Sequence, residues 1–229
     1  MTPDRRASVI AGTLFIAASA AGFASTAVEY PVLTGAGYLA KITENTGRVS
    51  VGGLLELLEA VTSAGIAVAL YPVLRRRSET LALGAVVFRA MESTMYAIGA
   101  VLTLALLTVA DTYGQASASS RGGLQAIGDT LTGLRDEAIL AGVFAYVLGA
   151  SLYYVLLYRT RLLPRWLTGW GLTAVALMLC ACFASLFGRS PVTSFIPLIL
   201  PIAVQEIVLA VWLIARGFTP SSPAVPAQG

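Results

Sequence analysis

The sequence predicts an all-α membrane protein in which six transmembrane helices form one bundle, and three observations support this. Of the 229 residues, 57% are hydrophobic and only 12% are charged, whereas a soluble domain carries about 25% charged residues. The apolar residues fall in blocks of about twenty or more, the length that a helix needs to cross a bilayer. The blocks are continuous rather than alternating, which argues against a β-barrel. Helices therefore remain as the way to satisfy the backbone in lipid.

The predicted spans cover residues 7–27, 49–74, 80–110, 134–158, 166–187 and 194–215, and they form one domain over residues 1–217. The first block follows Arg5 and Arg6 but exceeds the apolar region of a signal peptide, so it predicts an uncleaved span. Pro197 and Pro201 are expected to loosen the first half of the last span. Residues 218–229 are rich in proline and predict a disordered tail.

The connections between the spans predict which side of the membrane each end occupies. Residues 28–48 predict a loop with a short interfacial helix from Tyr38 to Gly47, and residues 111–133, the longest polar stretch, predict a second loop. Six spans bring both termini to one side. The arginine clusters at 75–77 and 159–165 fall on that same side, which favours cytoplasmic termini.

Polar residues interrupt three of the spans at a similar depth. Arg89 and Glu92 lie three residues apart on one face of the third span. At a rise of about 1.5 Å per residue, Glu59 in the second span, Glu92 in the third and Glu206 in the sixth all lie roughly 15 Å from a membrane surface. Ionisable residues at this depth are costly and usually functional. We therefore expect these side chains to face the interior of the bundle.

The balance of charge at that depth indicates what kind of site this is. Arg89 is the only cation predicted there, against the four glutamates Glu56, Glu59, Glu92 and Glu206. Unpaired carboxylates are too costly to bury as anions, so some must be neutral or contact a cation, a donor or water. Such groups give and accept protons near neutral pH. The simpler interpretation is that Arg89 and one glutamate only fix the helices together.

Composition excludes several other classes of function. The chain contains no histidine, which removes the commonest metal ligand and the usual acid–base group at neutral pH. We therefore expect no metal and no cofactor. The formal net charge of +3 is explained by arginines at the ends of the spans rather than by a nucleic-acid partner. The expected partners are the lipid bilayer and a lipophilic or amphiphilic small molecule.

Several short motifs resemble a bacterial membrane family known as domain of unknown function 4386. They are Phe88-Arg89, then Leu163-Pro164-Arg165 before a glycine-containing fifth span, and Glu206 ahead of the segment that ends at Gly217. The resemblance covers roughly residues 7–217 and implies a six-helix membrane fold without a settled activity. Members of that family often carry a histidine in the fourth span, and this chain has none.

Three functional hypotheses remain open from the sequence. The first is acid–base conversion of a lipophilic molecule, by isomerisation or cyclisation, with Glu59, Glu92 and Arg89 as catalytic residues. The second is a proton- or cation-coupled transporter. It lacks a convincing inverted repeat, which a homodimer would supply. The third is a structural or accessory membrane protein. The residues expected to bind the substrate are Glu56, Gln205, Glu206, Tyr96 and Tyr146.

Overall fold

The computed structural model describes residues 1–219 of the chain and is built almost entirely from α-helices. Six of these helices are long and apolar enough to cross a membrane. The predicted fold class is therefore confirmed. The helices are α1 (Pro3–Leu33), α2 (Tyr38–Glu44), α3 (Thr46–Leu74), α4 (Glu79–Gln115), α5 (Ala118–Thr160), α6 (Arg165–Gly188) and α7 (Ile196–Ala215), with a short 3-10 helix at Val192–Phe195.

The six long helices form a closed ring. Each packs on the next in chain order, from α1 to α3, α4, α5, α6 and α7, and α7 packs back on α1. Short connections favour this arrangement, since consecutive helices then become antiparallel neighbours. Arg5 in the first turn of α1 closes the ring by donating to the carbonyls of Leu213 (2.9 Å) and Ile214 (2.5 Å) at the end of α7. The start of α1 and the end of α7 therefore lie at one end of the bundle, which we call the terminal end.

The helices begin and end at residues that suit their positions. Thr2 and Ser78 cap α1 and α4 by accepting hydrogen bonds from the amides of Arg5 (3.3 Å) and Leu81 (3.4 Å). Pro197 lies in the first turn of α7, where an amide hydrogen is not needed. Pro201 lies inside α7 and leaves one backbone carbonyl without its usual donor.

The predicted loops are wrong in two places, because helical structure continues beyond the apolar blocks. Helix α1 extends past residue 27 to Leu33, and the interfacial helix ends at Glu44 rather than at Gly47. Most of residues 111–133 is helical, since α4 reaches Gln115 and α5 begins at Ala118. Hydropathy marks where a helix meets lipid, whereas a helix outside lipid needs only a packing partner.

Helix α2 packs against these helical extensions at the end of the bundle opposite the terminal end. We call this end the distal end. Tyr38 donates a hydrogen bond to Asp129 in the first part of α5 at 3.0 Å. Buried apolar residues of α1, α2, α3 and α4 form a small core there, made of Val32, Tyr38, Leu39, Ile42, Val49, Leu106 and Ala110.

The larger core fills the middle and the terminal end of the ring. It includes the fully buried side chains of Phe15, Ile66, Leu157, Leu163 and Leu213. The tail predicted to be disordered lies mostly outside the described residues.

Candidate functional site

A buried ion pair occupies the interior of the ring. The Arg89 Nη1 atom lies 2.9 Å from Glu92 Oε2, and both side chains are only 3% exposed. Glu92 Oε1 also accepts a hydrogen bond from the Ser63 hydroxyl on α3 at 2.8 Å. The Glu92 carboxyl group is thus held between Arg89 on its own helix and Ser63 on α3.

Helix α7 brings Glu206 to the same cluster. Tyr146 on α5 donates a hydrogen bond to Glu206 Oε1 at 2.9 Å. The Arg89 guanidinium lies over the Tyr146 ring, 5.1 Å from its centroid, at a distance typical of a cation–π interaction. Arg89, Glu92, Ser63, Tyr146 and Glu206 therefore form one contiguous group, which we call the central cluster.

Glu59 lies within electrostatic range of Glu92, Glu206 and Arg89. Within residues 1–219, no hydrogen bond or ion pair engages its carboxyl group, and the side chain keeps part of its surface accessible. The carboxyl group lies against Gly22 of α1, where a Cβ would approach Glu59 Oε1 to 2.8 Å. Glu59 is thus a half-buried, unpaired acid beside a fixed ion pair.

Two other predicted site residues have different surroundings. Tyr96 is half-buried, lies near Glu92 and Glu59, and packs its ring where a Cβ on Gly142 would stand. Gln205 is fully buried and links three helices instead of lining the central cluster. It accepts from the Tyr154 hydroxyl at 2.5 Å and donates to the Leu167 carbonyl at 3.2 Å. This geometry makes Gln205 a packing link.

Glu56 belongs to a second group of charged residues, nearer the distal end, which we call the outer cluster. Arg135 of α5 contacts Glu56 directly and lies 2.9 Å from Glu29 Oε2 on α1. The Arg135 Nε atom also donates to the Thr103 hydroxyl of α4 at 2.7 Å. The prediction that Arg89 is the only cation among the buried glutamates is therefore wrong. A long arginine side chain near the start of the fourth span reaches inward, and Glu29, assigned to a loop, lies on α1.

A reciprocal contact between α1 and α3 sets the positions of two carboxyl groups. Each helix carries a glycine seven residues before a glutamate, Gly22 and Glu29 in α1 and Gly52 and Glu59 in α3. Because the helices run antiparallel, Glu59 lies on Gly22 and Glu29 lies on Gly52. The repeated spacing is visible in the sequence, and it is the one signal that could have identified Glu29.

The two clusters together with Glu59 contain more carboxylates than cations. Unpaired buried carboxylates are costly, so ion pairing with the two arginines does not account for all of them. In the described residues, no group of three or more metal-binding side chains could hold a metal ion. The carboxylates are Glu29, Glu56, Glu59, Glu92 and Glu206, and the cations are Arg89 and Arg135.

Comparison with known proteins gives a family but no characterised relative. The chain matches no curated protein and no solved structure. The model of one family, Domain of unknown function (DUF4386), matches residues 10–217, which is nearly the whole of the six-helix ring. The chain therefore belongs to the DUF4386 family.

Proposed function

We propose that the protein converts a lipophilic small molecule by acid–base chemistry at the central cluster. The observation that carries this proposal is the burial and bonding of the Glu59 side chain. Its side chain is half-buried, and its carboxyl group is unpaired beside the Arg89–Glu92 ion pair. A group that is held by no partner can change protonation without breaking the fold, which is what a proton donor or acceptor requires.

The surrounding residues support distinct roles. Arg89 and Ser63 hold the Glu92 carboxyl group in a fixed position beside the substrate. Glu59 exchanges the proton with the substrate. Glu206, oriented by the Tyr146 hydroxyl, and the half-buried Tyr96 contact the bound molecule. Such a pair of carboxyl groups in different environments is the usual arrangement for acid–base catalysis.

The distribution of polar groups supports access from one side. Polar side chains continue from Arg135 and Glu56 through Glu59 to Glu92. Beyond the central cluster, the terminal end is filled by buried leucines, among them Leu157, Leu163 and Leu213. A site that is polar on one side and closed by apolar packing on the other suits a binding pocket more than a path through the membrane.

Deuterium labelling of candidate lipids tests this proposal. Purified protein in detergent is incubated in D2O with a panel of isoprenoid, sterol and fatty-acyl lipids, and the lipids are analysed by mass spectrometry. Acid–base isomerisation places deuterium on carbon. We expect labelling by wild type and by Glu44→Gln, an exposed matched control, and none by Glu59→Gln. Equal labelling by Glu59→Gln would overturn the assignment.

Proton-coupled transport is the second candidate, because the two charged clusters follow one another along the interior of the ring. In transporters, buried carboxylates carry the coupling proton. Liposomes containing the protein and a pH-sensitive dye distinguish the two functions. Ligand-dependent proton uptake that Glu59→Gln abolishes, without any labelled lipid, would favour transport.

We place both termini in the cytoplasm of a bacterium, with the protein in its inner membrane. Clusters of arginine at the terminal end support this orientation, including Arg75–Arg77 and Arg161. A fluorescent protein fused after residue 229 is expected to fold and fluoresce, as it does only in the cytoplasm. An alkaline phosphatase fusion at the same place that is active instead would reverse the orientation.

A further inference from the structure

The outer cluster contains two carboxyl groups that share one arginine. Glu29 Oε2 and Glu56 Oε1 both contact the Nη2 atom of Arg135. The remaining oxygens, Glu29 Oε1 and Glu56 Oε2, are buried and have no hydrogen-bond partner within the described residues. Because both contacts with Arg135 are made to the same nitrogen atom, the two carboxyl groups lie side by side. If both groups were ionised, the pair would carry one more negative charge than Arg135 balances.

Within residues 1–219, the neighbouring side chains do not supply a second cation to this pair. On α4, the Thr103 hydroxyl accepts a hydrogen bond from Arg135 and carries no charge. From α5, Asp136 lies 3.9 Å from Arg135 and adds negative charge. Glu59 on α3 is a further acid within electrostatic range of Glu56. Arg48 directs its Nε atom to the carbonyl of Val28 at 2.7 Å and forms no ion pair with Glu29 or Glu56 in the described part of the chain.

A proton fits this place better than a metal ion does. Two carboxylates that share a buried site cannot both ionise without a large cost, and a single shared proton removes that cost. With one proton, the pair carries one negative charge, which Arg135 balances. The Arg135 guanidinium already contacts both carboxyl groups, so a metal cation would have to lie beside a fixed positive charge.

We propose that Glu29 and Glu56 hold one proton between them, so that the outer cluster is a proton-binding site. Glu56 lies one helical turn from Glu59 on α3. The outer cluster is therefore placed to supply Glu59 with protons from the distal end. This second role rests on the proposed function of Glu59, whereas the proton site itself does not.

Infrared spectroscopy tests the proton site directly, because a protonated carboxyl group gives a carbonyl band that a carboxylate lacks. We expect Glu29→Gln and Glu56→Gln each to lose the band intensity of one carboxyl group. The double variant is expected to lose no more than either single variant. In each single variant the remaining carboxylate pairs with Arg135 one to one, so folding is retained.

Two results would overturn the proton site. One is an unchanged band in both single variants, which would mean that both carboxylates are ionised. The other is a double variant that loses twice the intensity, which would mean that each group holds its own proton. Glu44→Gln, exposed and outside the cluster, serves as the control and should leave the band unchanged.

Proton supply to Glu59 is tested by repeating the deuterium labelling of lipid with Glu56→Gln. We expect labelling to slow on the order of tenfold, whereas Glu59→Gln abolishes it. Unchanged labelling by Glu56→Gln would reject the supply role and leave the proton site standing. If wild type labels nothing, the proposed function fails while the infrared result still decides the proton site.

Discussion

Glu59 and Glu92 lie close to one another, yet neutral substitutions at the two positions should have different effects on stability. Glu92→Gln leaves the buried Arg89 guanidinium without its counter-ion, and breaking a buried pair costs about 3 to 5 kcal/mol. Glu59→Gln removes an acid that has no bonded partner within residues 1–219, so stability should be unchanged or slightly higher. Thermal unfolding in detergent measures both. A large loss of stability in Glu59→Gln would mean that Glu59 is structural.

The reciprocal glycine contacts give a second prediction for single residues. A Cβ on Gly52 would overlap the Glu29 carboxyl group, so Gly52→Ala should lower stability by about 1 to 3 kcal/mol. Gly47→Ala, in the same helix with no atom within 4 Å, is the control and should cost nothing.

The same contact can be isolated by a double variant. Removing the obstructing carboxyl group with Glu29→Ala should make Gly52→Ala less costly than it is alone, because neighbouring substitutions are not additive. Strictly additive losses would show that Gly52 and Glu29 do not contact each other.

Residue types and helical spacing were enough to predict that Arg89, Glu92, Glu59 and Glu206 lie together. Each is a polar residue inside a long apolar run, and helix geometry fixes its depth. The partners of Glu56 could not be predicted in that way. Glu29 lies beyond the apolar part of α1, and Arg135 extends inward from a position that hydropathy assigns to an interface. Side-chain reach is not visible in a hydropathy pattern.

Among the helices, the distal parts of α4 and α5 differ most from the prediction. Residues 118–133 have the composition of a loop but are helical, because they pack on the distal part of α4 and contact Tyr38 and Leu39 of α2. Propensity and hydropathy describe single segments, whereas this helix is stabilised by a contact between segments far apart in the chain. Elsewhere the predicted ends of the spans lie closer to the observed ends of the helices, since apolar length alone sets them.

Tyr38 makes this contact sensitive to high pH. Burial raises the pKa of Tyr38 to about 12, whereas the unfolded chain releases this proton near a pH of about 10. Between these values the unfolded state binds fewer protons, so stability falls as pH rises. We expect Tyr38→Phe to reduce that fall.

Unfolding in detergent between pH values of about 9 and about 12 measures the slope. Tyr30→Phe, at a ring that is 67% exposed, is the control. A slope that is the same in Tyr38→Phe and wild type would show that the phenol is not buried against α5.

In the molecule as a whole, closure of the ring depends on the contact between α1 and α7. Arg5 donates to two carbonyls at the end of α7. Hydrogen bonds from a charged group contribute about 1.5 to 3 kcal/mol. Since Arg5 is only half-buried, we expect Arg5→Ala to cost roughly 1 to 2 kcal/mol in thermal unfolding. The exposed neighbour Arg6→Ala should cost little. Equal losses in the two variants would contradict the closed ring.

If the interior of this ring is a binding site, its buried charges do more than fix the helices. A thermal-stability screen of the purified protein against lipophilic amphiphiles and small cations decides between these roles, with Glu59→Gln run in parallel. A ligand at about 100 times its Kd stabilises the protein by about 2.7 kcal/mol. We expect at least one compound that stabilises wild type and Glu44→Gln but not Glu59→Gln, while the unliganded variant is as stable as wild type. An unliganded Glu59→Gln protein that is much less stable, with no compound stabilising wild type, would show that the charges are structural.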